Sequence, residues 1–202
     1  MQKINRRELL RRAAIGSASV AALLGHKLTA HASDADPEVQ FRLLALGDGP
    51  TEGAIFHRIV MAGEGVIKES EVGRESAPIE IAEGGGSFQH YDANSPRPRT
   101  ILTSGSWKVK RLLSARFIGT WGQFTAGIVE LEVELHTSSS LVIPATMKIV
   151  HNIIGPAGLD TGQTDGYTLT PVGSSFPIFK TAPPTGPVTA GLATEFVIKR
   201  KD

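Results

Sequence analysis

Hydrophobic and polar residues alternate along much of the chain, most clearly in residues 127–135. Valine and leucine occupy every second position from 129 to 135, and glutamate occupies positions 130, 132 and 134. Because successive side chains of a β-strand point to opposite faces, this segment would bury one face and expose the other. In a helix the same glutamates would be scattered around the circumference. The alternation therefore predicts a strand of an antiparallel sheet.

The same alternation recurs in short segments that are separated by glycine- and proline-rich breaks. Besides 127–135, the predicted strands are 39–46, 54–62, 78–82, 87–92, 100–104, 106–117, 141–154, 166–170, 176–180 and 193–200. Turns are predicted at the breaks 47–50, 84–86, 94–96 and 155–156. No segment after residue 32 shows a helical period over ten residues. Many short strands at this spacing predict an all-β fold, either a single antiparallel β-barrel or a β-sandwich.

Three segments carry more specific expectations. The segment 106–117 is long for one strand and is expected to be bent or broken. Pro144 has no amide hydrogen, which predicts an edge position or a bulge for the strand 141–154. Residues 171–191 are rich in proline and glycine and are expected to form a loop over one end of the domain.

The first 32 residues differ in composition from the rest of the chain. A positively charged start is followed by an apolar run of small residues at 13–24 and then by Ala30-His31-Ala32. This order is typical of a secretory signal peptide. The apolar run is shorter than the roughly 20 residues that a membrane-spanning helix needs. Residues 1–32 are therefore predicted to be a leader that is cleaved after Ala32, and residues 33–202 to be the all-β domain.

The charged start of the leader contains the pair Arg6-Arg7, with Leu9-Leu10 close behind. This arrangement resembles the twin-arginine translocation (Tat) signal of bacteria and archaea, and the resemblance covers the leader alone. It implies that the chain folds before export, that the Tat export machinery is a partner, and that the product is periplasmic or extracellular. No second apolar run is long enough to cross a membrane, so no stable membrane anchor is expected after cleavage.

Removing the leader changes the charge of the chain. Six lysines and arginines and one glutamate give residues 1–32 a charge of +5, and since the whole chain is +1, residues 33–202 carry 1 − 5 = −4. The domain therefore offers no electrostatic case for binding nucleic acid. The chain contains no cysteine. Disulfides, thiolate metal sites, iron–sulfur clusters and cysteine nucleophiles are thereby excluded.

Three histidines, His57, His90 and His151, fall on the apolar faces of predicted strands, each two positions from an isoleucine or phenylalanine. In a barrel the inward faces line one interior, so the three imidazoles are expected to point there. They could exchange hydrogen bonds with a ligand or act as acid and base. With Asp92 they could alternatively hold zinc, copper or non-haem iron. Each could also be a core histidine that is satisfied by a neighbouring group.

The pattern favours an exported, disulfide-free protein that binds a small, largely apolar ligand in an internal cavity, with the three histidines as polar contacts. A barrel enzyme remains an alternative, either an isomerase or cyclase or a metal-dependent oxidoreductase. So does a structural or interaction module with a solid core. The expected architecture is similar to that of cyclase-like and dirigent-like barrels, but their diagnostic motifs are absent and architecture alone does not carry function. No cofactor is assigned.

Overall fold

The described strands form one closed antiparallel barrel. The computed structural model describes residues 38–68, 82–153, 156–181 and 194–199, and no helix occurs within them. The strands are β1 (Glu38–Glu52), β2 (Ile55–Lys68), β3 (Ala82–Asp92), β4 (Thr100–Trp121), β5 (Phe124–Thr137), β6 (Val142–His151), β7 (Gly166–Pro171), β8 (Phe179–Thr181) and β9 (Thr194–Lys199). Each of the first seven pairs with the next, β8 pairs with β1, and β9 lies against β1. The all-β prediction is confirmed, and of the two predicted architectures the barrel is the one observed.

The first strand holds the ring together because it pairs along both edges. One edge of β1 pairs with β2 over nearly its whole length. The other edge pairs with β9 along residues 38–43 and then with β8 at Gly47 and Asp48. On its far side β8 pairs with β7 at Thr168 and Leu169. The shortest strand therefore closes the ring through short pairings on both sides.

The interior of the barrel is filled by the inward side chains. In β5 the positions 129, 131, 133 and 135 are all 0% exposed, as the alternation predicts. Large aromatic side chains fill the space between opposite strands, among them Trp107 and Phe41. The indole nitrogen of Trp107 donates a hydrogen bond to the carbonyl oxygen of Ala62 at 3.1 Å. Its one polar atom is therefore satisfied.

Two of the predicted turns are wrong, because both glycine-rich breaks lie inside strands. Residues 47–50 belong to β1, and residues 84–86 belong to β3. A β-carbon at Gly47 would meet the ring of Tyr167 and the β-carbon of Phe179. Glycine at this position thus makes room for interior aromatic side chains rather than a turn. The chain turns between β1 and β2 at Gly53, where φ is 60°.

Segments 100–104 and 106–117 form one continuous strand, β4, rather than two. The strand is bent, as expected, because its pairing with β5 shifts register three times, between positions 109 and 111, 112 and 114, and 117 and 119. Such bulges increase the local twist and let a long strand follow the curvature of a barrel.

Pro144 lies in β6, which pairs with β5 on one side and β7 on the other, so the predicted edge position or bulge is wrong. Pairing with β7 ends at Ala145 and Pro171. Beyond it the carbonyl oxygen of Pro144 accepts a hydrogen bond from the amide of Val172 at 2.8 Å. The ladder therefore loses only the donor at its last position, which a proline can occupy.

Several predictions fall outside the described residues. They are the leader 1–32, most of the predicted strand 78–82, the break at Gly155 and the part of the predicted loop after Thr181. Within the described part of that loop, residues 172–178 connect β7 to β8. We call residues 172–181, the loop together with β8, the closing segment. Over the ranges given above, no helix has the length and apolarity needed to cross a membrane.

Candidate functional site

His57 on β2 and His90 on β3 both face the interior, with 8% and 5% of their surface exposed. The register pairs His57 with Asp92 and Ile59 with His90, so the two histidines are diagonal neighbours on the inward face. Nδ1 of His57 lies 2.8 Å from Nε2 of His90, within hydrogen-bond distance. We call these two residues the histidine pair.

Aromatic rings of the closing segment cover the histidine pair. Phe176 from the loop and Phe179 from β8 each pack edge-to-face against His90, with ring centroids 5.2 Å away. Phe88 on β3 contacts Phe176 at a centroid distance of 6.4 Å. We call Phe88, Phe176 and Phe179 the aromatic cluster. Phe88 and Phe179 are buried, whereas Phe176 is half-buried and forms the outer wall.

The surroundings of His90 favour its neutral form. Burial, and to a lesser extent the charge of His57, lower the pKa of His90 to about 4. The imidazole of His90 is therefore uncharged at neutral pH. In a neutral ring one nitrogen donates and the other accepts, so the proton between the two histidines can belong to either ring.

The outer nitrogen of His57 is directed towards the end of β1. Nε2 of His57 makes no hydrogen bond within the described chain, and Oε2 of Glu52 lies 3.6 Å from it. The side chain of Glu52 is 65% exposed. A carboxylate, an imidazole and a second imidazole thus follow one another from the surface to the interior. Such an order can hold or move a proton.

Tyr167 is a buried polar residue that the sequence analysis missed. It lies on β7, is 2% exposed, and its hydroxyl group contacts the backbone of Gly47 on β1. Within the described residues the hydroxyl group has no hydrogen-bond partner. Burial raises the pKa of Tyr167, and the nearby charge of Asp48 raises it further. Its place on the inward face, two positions from Leu169, is the sequence signal that could have identified it.

His151 lies on β6, which pairs with neither β2 nor β3, the strands of the histidine pair. It ends β6 and pairs with Gly127 near the start of β5, whereas His57 lies near the start of β2. Nδ1 of His151 lies 3.7 Å from Oδ1 of Asp165. The expectation that all three histidines meet therefore holds for two of them.

The fourth residue of the metal hypothesis, Asp92, is occupied with the turn after β3. Its Oδ1 accepts hydrogen bonds from the backbone amides of Phe56 and Asn94 at 3.0 and 2.9 Å. In the parts of the chain that are described, no three His, Cys, Asp or Glu side chains form a group suited to a metal ion. The alternative set of His57, His90, His151 and Asp92 is thus not assembled in this structure.

The space beside the histidine pair is filled by the aromatic cluster. Three open grooves of the described surface lie elsewhere, one of them of about 770 Å³ along β3 and β4. Neither histidine contributes to it or to the smaller grooves of about 310 and 370 Å³. A ligand that reaches the pair must therefore displace part of the closing segment.

Comparison of the chain with protein-family models, with curated proteins and with solved structures finds no match. Its function must therefore follow from the site.

Burial of neutral His90 predicts a specific loss of stability in acid. Folding lowers the pKa of His90 from 6.5 to about 4, so between these pH values the unfolded chain binds more protons than the folded chain. The free energy of unfolding should fall as the pH drops from about 6.5 towards 4, by roughly 2–3 kcal/mol from this residue. Urea denaturation in steps from pH 7.5 to 4 should show a smaller decline for His90→Leu than for wild type.

The partly exposed His136 on β5 supplies the matched control. His136→Leu should still show the decline of stability in acid, because it leaves the buried imidazole of His90 in place. An equal decline in wild type and His90→Leu would contradict the burial of a neutral imidazole at position 90.

Proposed function

We propose that this protein binds a small, largely apolar ligand beside the aromatic cluster, with the histidine pair as its polar contact. One observation carries the proposal: two hydrogen-bonded imidazoles are buried in an apolar interior, and Nε2 of His57 has no hydrogen-bond partner among the described residues. A buried polar atom without a partner destabilises the folded state by about 1–3 kcal/mol. A ligand that supplies the partner would remove this cost.

The closing segment is the natural entrance because little holds its loop. The amide of Val172 donates a hydrogen bond to the carbonyl oxygen of Pro144, and the amide of Phe176 donates one to the nearby hydroxyl oxygen of Ser174 at 3.1 Å. Gly173 has φ of 63°, and the residues from 172 to 175 are exposed. Moving this loop would withdraw the ring of Phe176 and expose His90 and Phe88.

The histidine pair can bind a ligand that donates a hydrogen bond or a ligand that accepts one. When Nδ1 of His57 carries the proton, its Nε2 is an acceptor; when His90 supplies the shared proton, Nε2 of His57 becomes the donor. Both arrangements of the protons leave the two imidazoles uncharged, which an apolar surrounding favours. A ligand with one polar atom and a flat apolar body fits such a site best.

Acid–base catalysis by the same residues is the second candidate. The order of Glu52, His57 and His90 favours it, because a carboxylate can orient an imidazole that takes or returns a proton. An isomerisation would need only such a proton transfer. Recovery of the bound molecule in altered form after incubation would distinguish catalysis from binding.

The ligand site predicts that removing the ring of Phe176 strengthens binding. The neutral apolar fluorophore N-phenyl-1-naphthylamine serves as the probe, and its fluorescence rises when it enters an apolar site. Phe176→Ala should bind it more tightly than wild type by about tenfold, because no ring has to be displaced first. Phe124→Ala, which removes a partly buried ring where β5 meets β9, should bind it as wild type does.

Two outcomes would overturn the ligand-site proposal. If none of the three proteins binds the fluorophore, the interior is a solid core, as in a structural module. If all three bind it equally, the fluorophore occupies another surface.

For the leader we propose export by the Tat pathway. Support comes from Arg6-Arg7, the mild apolar run after them and the small residues that end at Ala32. The absence of cysteine is compatible with a chain that folds inside the cell and is stable outside it without disulfides.

The export proposal predicts that Arg6→Lys with Arg7→Lys blocks processing. In a bacterium with a Tat system, fractionation should find the wild-type chain in the periplasm or medium, shortened by the leader. The double variant should remain in the cytoplasm at full length, although its charge is unchanged. As a control, Arg11→Lys with Arg12→Lys should still be exported. Export of all three proteins alike would exclude the twin-arginine route.

A further inference from the structure

The hydroxyl group of Tyr167 is a second buried polar atom without a partner on the inner side of the closing segment. Both Tyr167 and His57 approach β1, at Gly47 and Gly49. These glycines are two positions apart on one face of the strand, which separates them by about 7 Å. Two residues that each carry an unsatisfied polar atom therefore lie close to the same short stretch of β1 in the described interior.

The ring of Phe179 occupies the place between these two polar groups. A β-carbon on Gly47 would lie 3.1 Å from the β-carbon of Phe179, and a β-carbon on Gly49 would lie 2.9 Å from its ring. Phe179 belongs to β8, the shortest strand of the ring. When the closing segment moves, the hydroxyl group of Tyr167 and the imidazole of His57 become walls of the same space.

The backbone around Tyr167 is positioned independently of its hydroxyl group. The amide of Tyr167 donates to Oγ1 of Thr181 at 2.5 Å, and Oγ1 of Thr181 donates to the carbonyl oxygen of Tyr167 at 2.9 Å. Loss of the hydroxyl group should therefore leave the strand in place. Because that group makes no hydrogen bond in the described structure, its removal should not lower stability.

The chemistry of the site restricts what the hydroxyl group can bind. Burial keeps Tyr167 protonated, so it can donate to an acceptor. No lysine or arginine is among the buried residues of the described chain, and Arg58 is paired with Asp48 at 2.5 Å. An anionic acceptor would therefore be buried without a compensating charge, which is costly.

We propose that the hydroxyl group of Tyr167 donates a hydrogen bond to an uncharged carbonyl oxygen of the ligand, so that the site selects neutral carbonyl compounds over hydrocarbons and carboxylates. The inference rests on the ligand site proposed above and names its class of ligand. A hydrocarbon would leave the hydroxyl group unsatisfied, and a carboxylate would bring an unpaired charge into the interior.

Three naphthalenes of similar size test the inference: 2-acetylnaphthalene, 2-ethylnaphthalene and 2-naphthoate. Their affinities are measured by displacement of N-phenyl-1-naphthylamine from Phe176→Ala, which lacks one of the two rings packed on His90, with and without Tyr167→Phe. In Phe176→Ala the ketone should bind about tenfold more tightly than the hydrocarbon. The carboxylate should bind most weakly. Adding Tyr167→Phe should reduce the affinity of the ketone to that of the hydrocarbon and leave the hydrocarbon unchanged.

Urea denaturation of Tyr167→Phe without ligand supplies a second readout, and its stability should equal or exceed that of wild type. A ketone preference that survives Tyr167→Phe would overturn the inference. Equal affinities of Phe176→Ala for the ketone and the hydrocarbon would also overturn it. So would an equal loss of affinity for both compounds when Tyr167→Phe is added. If no naphthalene displaces the fluorophore because the fluorophore itself does not bind, the ligand site fails as a whole. If the hydrocarbon binds and the ketone binds no better, only the assignment of Tyr167 fails.

Discussion

Closure of the sheet is the constraint on which the rest of the structure depends. Because β1 pairs with β2 on one edge and with β8 and β9 on the other, the eight-stranded ring has no open seam among the described strands. Every second side chain of each strand must then enter one interior. Any polar residue at such a position becomes buried whether or not a partner is available. The position of the histidine pair and of Tyr167 follows directly from that alternation.

These polar groups are buried next to Phe179 of β8, the strand whose pairings with its neighbours are shortest. The histidine pair satisfies one nitrogen of each ring, and a cluster of phenylalanines excludes water from His90. Nε2 of His57 and the hydroxyl group of Tyr167 have no hydrogen-bond partner among the described residues, which lowers the stability of the folded state. In the rest of the ring, long strand pairings and buried apolar side chains such as those of β5 stabilise the fold and offset this loss. A site that must open is expected at the least stable part of a fold.

Alternation in the sequence was enough to predict the strands, the all-β class and the inward direction of His57 and His90. It could not show that Gly47 and Gly84–Gly86 lie inside strands rather than in turns, because glycine serves equally in a turn and where another strand approaches closely. Nor could it show which of the three histidines come into contact, since a period of two specifies the face of a strand but not the height along the barrel. The role of Phe176 follows from tertiary packing alone.

Hydrogen exchange of the backbone amides measures most directly whether the closing segment is the part that opens. If the closing segment opens, the amides of Phe179, Lys180 and Thr181 on β8 should exchange through local opening. The free energy of that opening should lie several kcal/mol below the free energy of global unfolding. Amides in the middle of β5 and β6 should exchange only when the whole barrel unfolds. Equal protection of β8 and β5 would contradict the account, because the histidine pair would then be sealed inside a uniformly stable core.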